Sequence, residues 1–358
     1  MARIIRERPS YYSEFRCTGN TTCIDNCCVL WDLPIDDATA GYYLSLEGEF
    51  GDYVRSNMFQ NEEGKWYAKL KEGNRCSFCT EDNLCNIRLH LGEHAQVLLC
   101  EVYPRERDIK VGNYRLDRML IACSEVASLI YKDEREKLEF IRWEEESECE
   151  EEADGEKLSD CKKSDGEESD ELIKKTAELL AFRDGLVEGI QTGAFDASVF
   201  GAYEPIGELE RFFNEALYFD GHEPTETIMR ETRELLPEAE NLRKKFYDAV
   251  PQAKVWMRKS AAYFAHRNLL DAMQDGSIHG PLVSVFRSAH ILELICLSRF
   301  KSKGRFDVDD MIESAHTFGL TFELSMHNIE LMKKTSETDI KDDSCLKENS
   351  EMRPFLYP

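Results

Sequence analysis

Long apolar runs are missing from this 358-residue chain, and none approaches the roughly 18 to 20 residues that a membrane-spanning helix needs. A bilayer crossing is not expected. The stretch from Met1 to Pro9 carries basic residues but neither a continuous apolar core nor a small-residue cleavage site, so no secretory leader is expected and the chain reads as cytoplasmic. Basic charge is scarce: 45 Lys and Arg against 70 Asp and Glu leave a net charge of −25. Such a chain lacks the basic stripe that displaces counterions from a phosphate backbone, which argues against nucleic acid as a partner. Also absent are a G-x-G-x-x-G turn after an apolar strand, a P-loop, a His-Glu-x-x-His helix and any internal repeat, so nucleotide-dependent α/β enzymes are disfavoured.

What is present begins with an ordinary globular composition, 42% hydrophobic and 10% aromatic, at a length suited to about two domains. The charge is concentrated. Residues Glu144 to Glu171 hold fifteen acidic side chains and three lysines, a net of −12, with few large apolar residues among them. That composition cannot offset the entropy of ordering and reads as an acidic, disordered linker or loop. Beyond it, Leu179, Phe182, Leu186 and Ile190 share one helical face. So do Leu282, Phe286, Ala289 and Cys296, and then Met311, Ala315, Phe318, Phe322 and Ile329. Gly185, Gly189 and Gly193, spaced by four, suit close helix packing better than a phosphate cradle. A further helix is expected from Ser124 through Leu138 and Ile141. The fold class is therefore mostly α, with a loop-rich N-terminal cysteine-cluster domain (1–143), the acidic segment (144–171) and a helical domain (172–358) packed against the first.

Thirteen cysteines without an export signal do not suggest a disulfide framework, since the cytosol keeps thiols reduced. Nine of them fall in the first 123 residues, a clustering that core packing would not produce. The pattern is Phe15-Arg16-Cys17, Cys23, Cys27-Cys28, Trp31, then Cys76-Ser77-Phe78-Cys79, Cys85, then Cys100-Glu101-Val102-Tyr103-Pro104-Arg105, and finally Cys123. Soft thiolates gathered from separated loops suit an iron–sulfur cluster or zinc. A structural zinc site usually shows two short Cys-x2-Cys pairs, and only Cys76 and Cys79 make one. The Cys-x3-Cys-x2-Cys opening of radical S-adenosylmethionine enzymes is absent, because Cys28 follows Cys27 directly. Cys17, Cys23, Cys27, Cys28, Cys76, Cys85, Cys100 and Cys123 are the candidate metal ligands. Cys149 and Cys161, within the acidic segment, are not.

From Tyr11 to Cys123 this pattern resembles the flagellin lysine-N-methylase (FliB) family, within the wider group of iron- or zinc-chelating cysteine-cluster proteins. The C-terminal half resembles it more loosely, through Tyr263 to Leu270, the helix from Pro281 and Glu323 to Asn328. The chain departs from the family at Ser124, where proline is usual, at Leu324, where histidine is usual, and at Cys79, where an apolar residue is usual. The resemblance implies a [4Fe-4S] cluster, S-adenosylmethionine as methyl donor, and transfer of methyl to lysine side chains of flagellin. Such transfer needs a neutral amine, scarce at pH 7 given a lysine pKa of about 10.4, and a group to take its proton. Tyr103 and Glu323 are the nominated catalytic candidates, with Asp36 and Glu93 beside them, though Asp36 equally suits a helix cap. His90 and His94 read as structural. The alternative is a non-catalytic metal-cluster protein that binds flagellin or another partner, or senses or stores metal.

Overall fold

The computed structural model describes residues 3–18, 23–24, 27–29, 33–72, 75–146, 170–193, 206–216 and 223–334. Trp31, Cys149, Cys161, Cys345 and the acidic stretch 147–169 lie outside the described residues. The chain is mostly α. Its centre is the His279–Lys303 helix, 25 residues that by length and composition could cross a membrane, although no such segment was expected from the sequence. Here 94% of its most apolar window is buried inside the protein, so it serves as a core helix. Two of its buried charged groups pair with neighbours of its own fold. Arg287 Nη1 donates to the carbonyls of Leu331 (3.0 Å) and Met332 (3.1 Å), and Glu293 accepts from Arg243 Nε (2.9 Å) and the Tyr247 hydroxyl (2.6 Å).

The apolar faces expected from helical spacing are buried where the spacing put them, in the Asp170–Thr192, His279–Lys303 and Val308–Phe322 helices. The last face does not run on unbroken to Ile329. The helix ends at Phe322, and a new one, Met326–Lys333, starts from Ser325, whose side chain accepts from Asn328 N. The glycine ladder does not act as a packing seam: a methyl group at Gly185 would meet nothing within 4 Å, and Gly193, at φ +76°, follows the last helical residue as a C-terminal glycine.

The N-terminal part is less loop-rich than expected. Arg105–Val111 and Tyr114–Met119 form a hairpin; Arg3–Pro9 lies parallel to its second strand and antiparallel to Phe140–Glu146, making a four-stranded sheet. The Ser124 helix stops at Tyr131, short of the expected Ile141, and Phe140 and Ile141 belong to that edge strand. Lys259 Nζ donates to the carbonyls of Ile130 (2.9 Å) and Asp133 (2.8 Å), satisfying acceptors at the helix's end. Apolar alternation does not mark the first strand, because one of its buried positions is a glutamate. Glu7 meets His266 Nε2 (2.8 Å), Arg183 Nη2 (2.7 Å) and Arg142 Nη2 (2.6 Å), and Phe140 stacks on His266 at 3.8 Å. The sheet's inner side chains and the C-terminal helices share one apolar core. A second, smaller core, with Leu33, Tyr43, Val54, Phe78 and Ile87, is enclosed by residues 33–97.

The Leu120–Cys123 segment crosses between these bodies and is held from several sides. The Tyr263 hydroxyl oxygen lies 2.8 Å from Met119 O and accepts from Ile121 N (3.2 Å), Glu323 Oε2 accepts from Ala122 N (3.1 Å), and His316 Nδ1 meets Ala122 O (2.7 Å). Ala122 lies directly on Gly319, where a β-carbon would come within 2.3 Å of its nitrogen. Only glycine permits that approach.

Candidate functional site

Nine cysteines, the eight nominated ones and Cys79, line a single cavity of about 80 Å3, large enough for several waters. The elements that bring them there are short and capped. Cys76 ends a two-residue strand and turns back through Cys79 N, which donates to Cys76 O (3.0 Å); Cys79 and Cys85 then form an antiparallel bridge. Cys85 is the N-cap of the Asn86–Leu91 helix, Cys123 that of the Ser124–Tyr131 helix, and Cys100 lies within Leu98–Val102. Arg105 closes the other side. Its guanidinium stacks over Phe15 (4.7 Å) and donates to Phe15 O (3.2 Å), fixing the stretch that leads to Cys17.

The environment of the sulfurs is suited to negative charge locally and hostile to it globally. Backbone N–H groups of Phe78 and Cys79 point at the Cys76 sulfur, those of Ile87 and Arg88 at Cys85, and those of Glu125 and Val126 at Cys123. Burial outweighs them: it pushes Cys76 up to about 11 and Cys123 up to about 12, and holds Cys100 well above the ordinary thiol range with help from Cys28, Cys85 and Cys76. Cys76, Cys100 and Cys123 are therefore protonated at pH 7 and poor nucleophiles without a bound cation. A bound soft cation would reverse this, because coordination deprotonates a thiol outright.

Among the described residues, no three His, Cys, Asp or Glu side chains close on one point as a single ion requires. A cubane cluster makes a different demand, with four thiolates spread around a cage. The donors are mostly cysteine, from buried Cys76 to exposed Cys17, and Cys76, Cys85 and Cys123 are served by backbone N–H groups, which fits iron–sulfur ligation better than a mononuclear site.

Among the nominated non-cysteine residues, Tyr103 lines the cavity, and its phenol is held well above its ordinary range by burial and by the nearby Cys123 and Cys27. Glu323 does not line it. It sits behind Ala122, accepting from the Tyr263 hydroxyl (2.5 Å) and Ala122 N, with burial raising its carboxyl despite Arg267. Asp36 caps the Asp37–Ser45 helix through Thr39 N (2.9 Å) and also accepts from Leu98 N (3.1 Å), so it joins that helix to the one bearing Cys100. Glu93 is an exposed partner of Arg88, and His90 stacks on Phe50 at 4.2 Å.

Two lining residues were missed by sequence reasoning. Among the described lining residues, Arg88 is the one basic side chain, its Nη1 3.8 Å from the Cys17 sulfur, and Glu125 is the one acid. The available signal was register: Arg88 falls three residues after Cys85 and Glu125 two after Cys123, each in the first turn of a helix capped by a cavity cysteine.

No family model matches the chain, and no solved structure does. It is 28% identical over 138 residues to the flagellar biosynthetic protein FliU of Salmonella muenchen, a match covering 37% of this chain and 80% of that protein. It is 27% identical over 138 residues to proteins named lysine-N-methylase from Salmonella typhimurium and Salmonella choleraesuis, covering 37% of this chain and 34% of each. The chain thus matches about a third of the lysine-N-methylases' length. Across that span, it is similar to the lysine-N-methylase (FliB) family that the cysteine pattern resembles.

Proposed function

We propose that the protein transfers methyl groups from S-adenosylmethionine to lysine side chains of flagellin, with an iron–sulfur cluster held by the cavity's thiols. The observation that carries this reading is the similarity to proteins named lysine-N-methylase in a chain whose clustered cysteines line one cavity. A bound [4Fe-4S] cluster would supply iron as a soft Lewis acid or electron donor beside the substrates.

The chain's own residues divide the remaining work. Apolar walls from Phe15, Leu33, Phe78 and Val97 exclude water and favour the neutral form of an entering lysine. Glu125, half-exposed at the cavity, is placed to accept the ammonium proton, whereas Glu323 is committed behind Ala122. Arg88 offers a guanidinium for the donor's carboxylate. Buried thiols of this number suit a reducing cytoplasm, and a net charge of −25 suits a protein rather than a nucleic-acid substrate.

The test is methyl transfer from labelled S-adenosylmethionine to purified flagellin by anaerobically prepared, iron-loaded protein. Label should appear on lysine, and Glu125→Gln should slow it on the order of 100-fold. Flagellin bound without any label transferred would refute the enzyme reading and leave a binding protein.

A further inference from the structure

The cavity's cysteines do not form one undivided group. Cys28, Cys76, Cys85 and Cys100 pack into the smaller core, against Leu33, Tyr43 and Phe78. The Cys100 sulfur faces Cys28, Cys85 and Cys76, and the Tyr43 phenol adjoins Cys85, Cys100 and Cys76. Cys27 instead packs with Leu120, Ala122, Leu320 and Tyr103, and Cys123 packs on the main core. Cys123 has Cys23 and Cys17 as its thiol neighbours, and the Tyr103 hydroxyl faces Cys123, Cys27 and Cys23. Adjacent in sequence, Cys27 and Cys28 therefore turn into different cores.

We propose that the cavity holds two [4Fe-4S] clusters, an inner one on Cys28, Cys76, Cys85 and Cys100 and an outer one on Cys17, Cys23, Cys27 and Cys123. One cubane uses four thiolates, so a single cluster would leave five of the nine cysteines lining the same cavity without a ligand role, whereas two clusters leave only Cys79. Each set also includes a sulfur served by two backbone N–H groups: Cys76 and Cys85 in the inner set, Cys123 in the outer. Such donors are a common support of cluster sulfurs. The sets meet where Cys27 hydrogen-bonds Cys28, which makes the two clusters neighbours. They differ in access. Cys17 is exposed and Thr18 Oγ1 lies 3.6 Å from Cys23, whereas Cys76 is buried. Cys79, hydrogen-bonded to Cys28 and held by Arg75 Nη2 at 3.4 Å, is a fifth thiol beside the inner set.

This inference rests on reading the cavity as an iron–sulfur site, and its test needs neither flagellin nor S-adenosylmethionine. The full chain, purified and reconstituted with iron and sulfide anaerobically, should hold about eight irons and eight acid-labile sulfides. The triple variant Cys76→Ser, Cys85→Ser, Cys100→Ser and the triple variant Cys17→Ser, Cys23→Ser, Cys123→Ser should each lose iron and sulfide twofold. The single variants Cys27→Ser and Cys28→Ser should each lose no more than half, a milder readout if a triple variant fails to fold. Electron paramagnetic resonance of the reduced wild type should show a spectrum broadened by coupling between two centres. About four irons per chain, an uncoupled signal of one spin, or a triple variant that removes all metal while the other removes none would overturn the second cluster. Wild-type protein that takes up zinc alone, or no metal, would overturn this inference and the cluster reading together. Absent methyl transfer with about eight irons bound would refute only the proposed activity.

Discussion

Gly319→Ala tests how the Cys123 segment is seated on the helical body. The new β-carbon would lie 2.3 Å from Ala122 N, 2.5 Å from Ala122 Cα and 2.9 Å from Ala122 Cβ, all backbone or its first substituent. Ordinary contact needs about 3.5 Å or more, so the segment must retreat by roughly 1 Å. The move disturbs the bond from Ala122 N to Glu323 (3.1 Å) and that between Ala122 O and His316 (2.7 Å). Overpacking costs about 2 kcal/mol and one buried hydrogen bond left unmade about 2 more, against a helix-propensity gain of about 1. The expected net loss is about 3 kcal/mol, read from urea unfolding followed by circular dichroism. Iron and sulfide content measured on the same samples should fall as well, because Cys123 moves with Ala122. Gly185→Ala is the control: its β-carbon meets nothing within 4 Å in the Asp170–Thr192 helix, so that variant should gain about 0.5 to 1 kcal/mol. A Gly319→Ala protein as stable as wild type, with its metal intact, would refute the seating.

Replacing the buried carboxylate in Glu7→Gln removes the charge that Arg183 and Arg142 share and weakens the contact to His266, and should cost about 3 kcal/mol, seen as a lower urea midpoint at unchanged m-value. A change below about 1 kcal/mol would show that Asp184 and Tyr114 suffice for Arg183. Burial, with Arg183 and Arg118 near one and Arg243 near the other, holds His266 and His290 down to about 4. The unfolded chain binds those protons first, so stability should be full above about pH 6.5 and decline as pH falls toward 4. His266→Gln should flatten that slope in unfolding curves at pH 7 and 5, and an unchanged slope would count against it. Deleting 148–170 should leave melting temperature and metal content nearly unchanged, since both cores are built from residues outside it. Loss of iron on deletion would make Cys149 or Cys161 a ligand.

The helical half was legible because its burial follows one period. Leu282, Phe286, Ala289 and Cys296 are apolar at helical spacing and all are buried. The sheet was not legible because its pairing is long-range and its inward positions carry charge. Glu7, Arg142 and Arg183 meet only when residues far apart in sequence are brought together, so no local pattern announces them. The same long-range pairing put Ile141, the last apolar residue of the helix expected from Ser124, into an edge strand. At the site, the thiols stood out by number and clustering, while Arg88 and Glu125 look like any charged residue until the cavity forms around them. Glu323 misled for the converse reason: it neighbours the cavity wall but faces the backbone of Ala122.

Composition and spacing were enough to determine the helical class, the concentration of thiols before residue 124 and the resemblance to lysine-N-methylases, because each depends on residue type and local order alone. Only the tertiary structure decided that Cys27 and Cys28 face different cores, that the Cys123 segment rests on Gly319, and that the acid lining the cavity is Glu125 rather than Glu323. Those are properties of distance and burial between segments up to two hundred residues apart, as with Ala122 and Glu323. A chain's local chemistry constrains such contacts without specifying them.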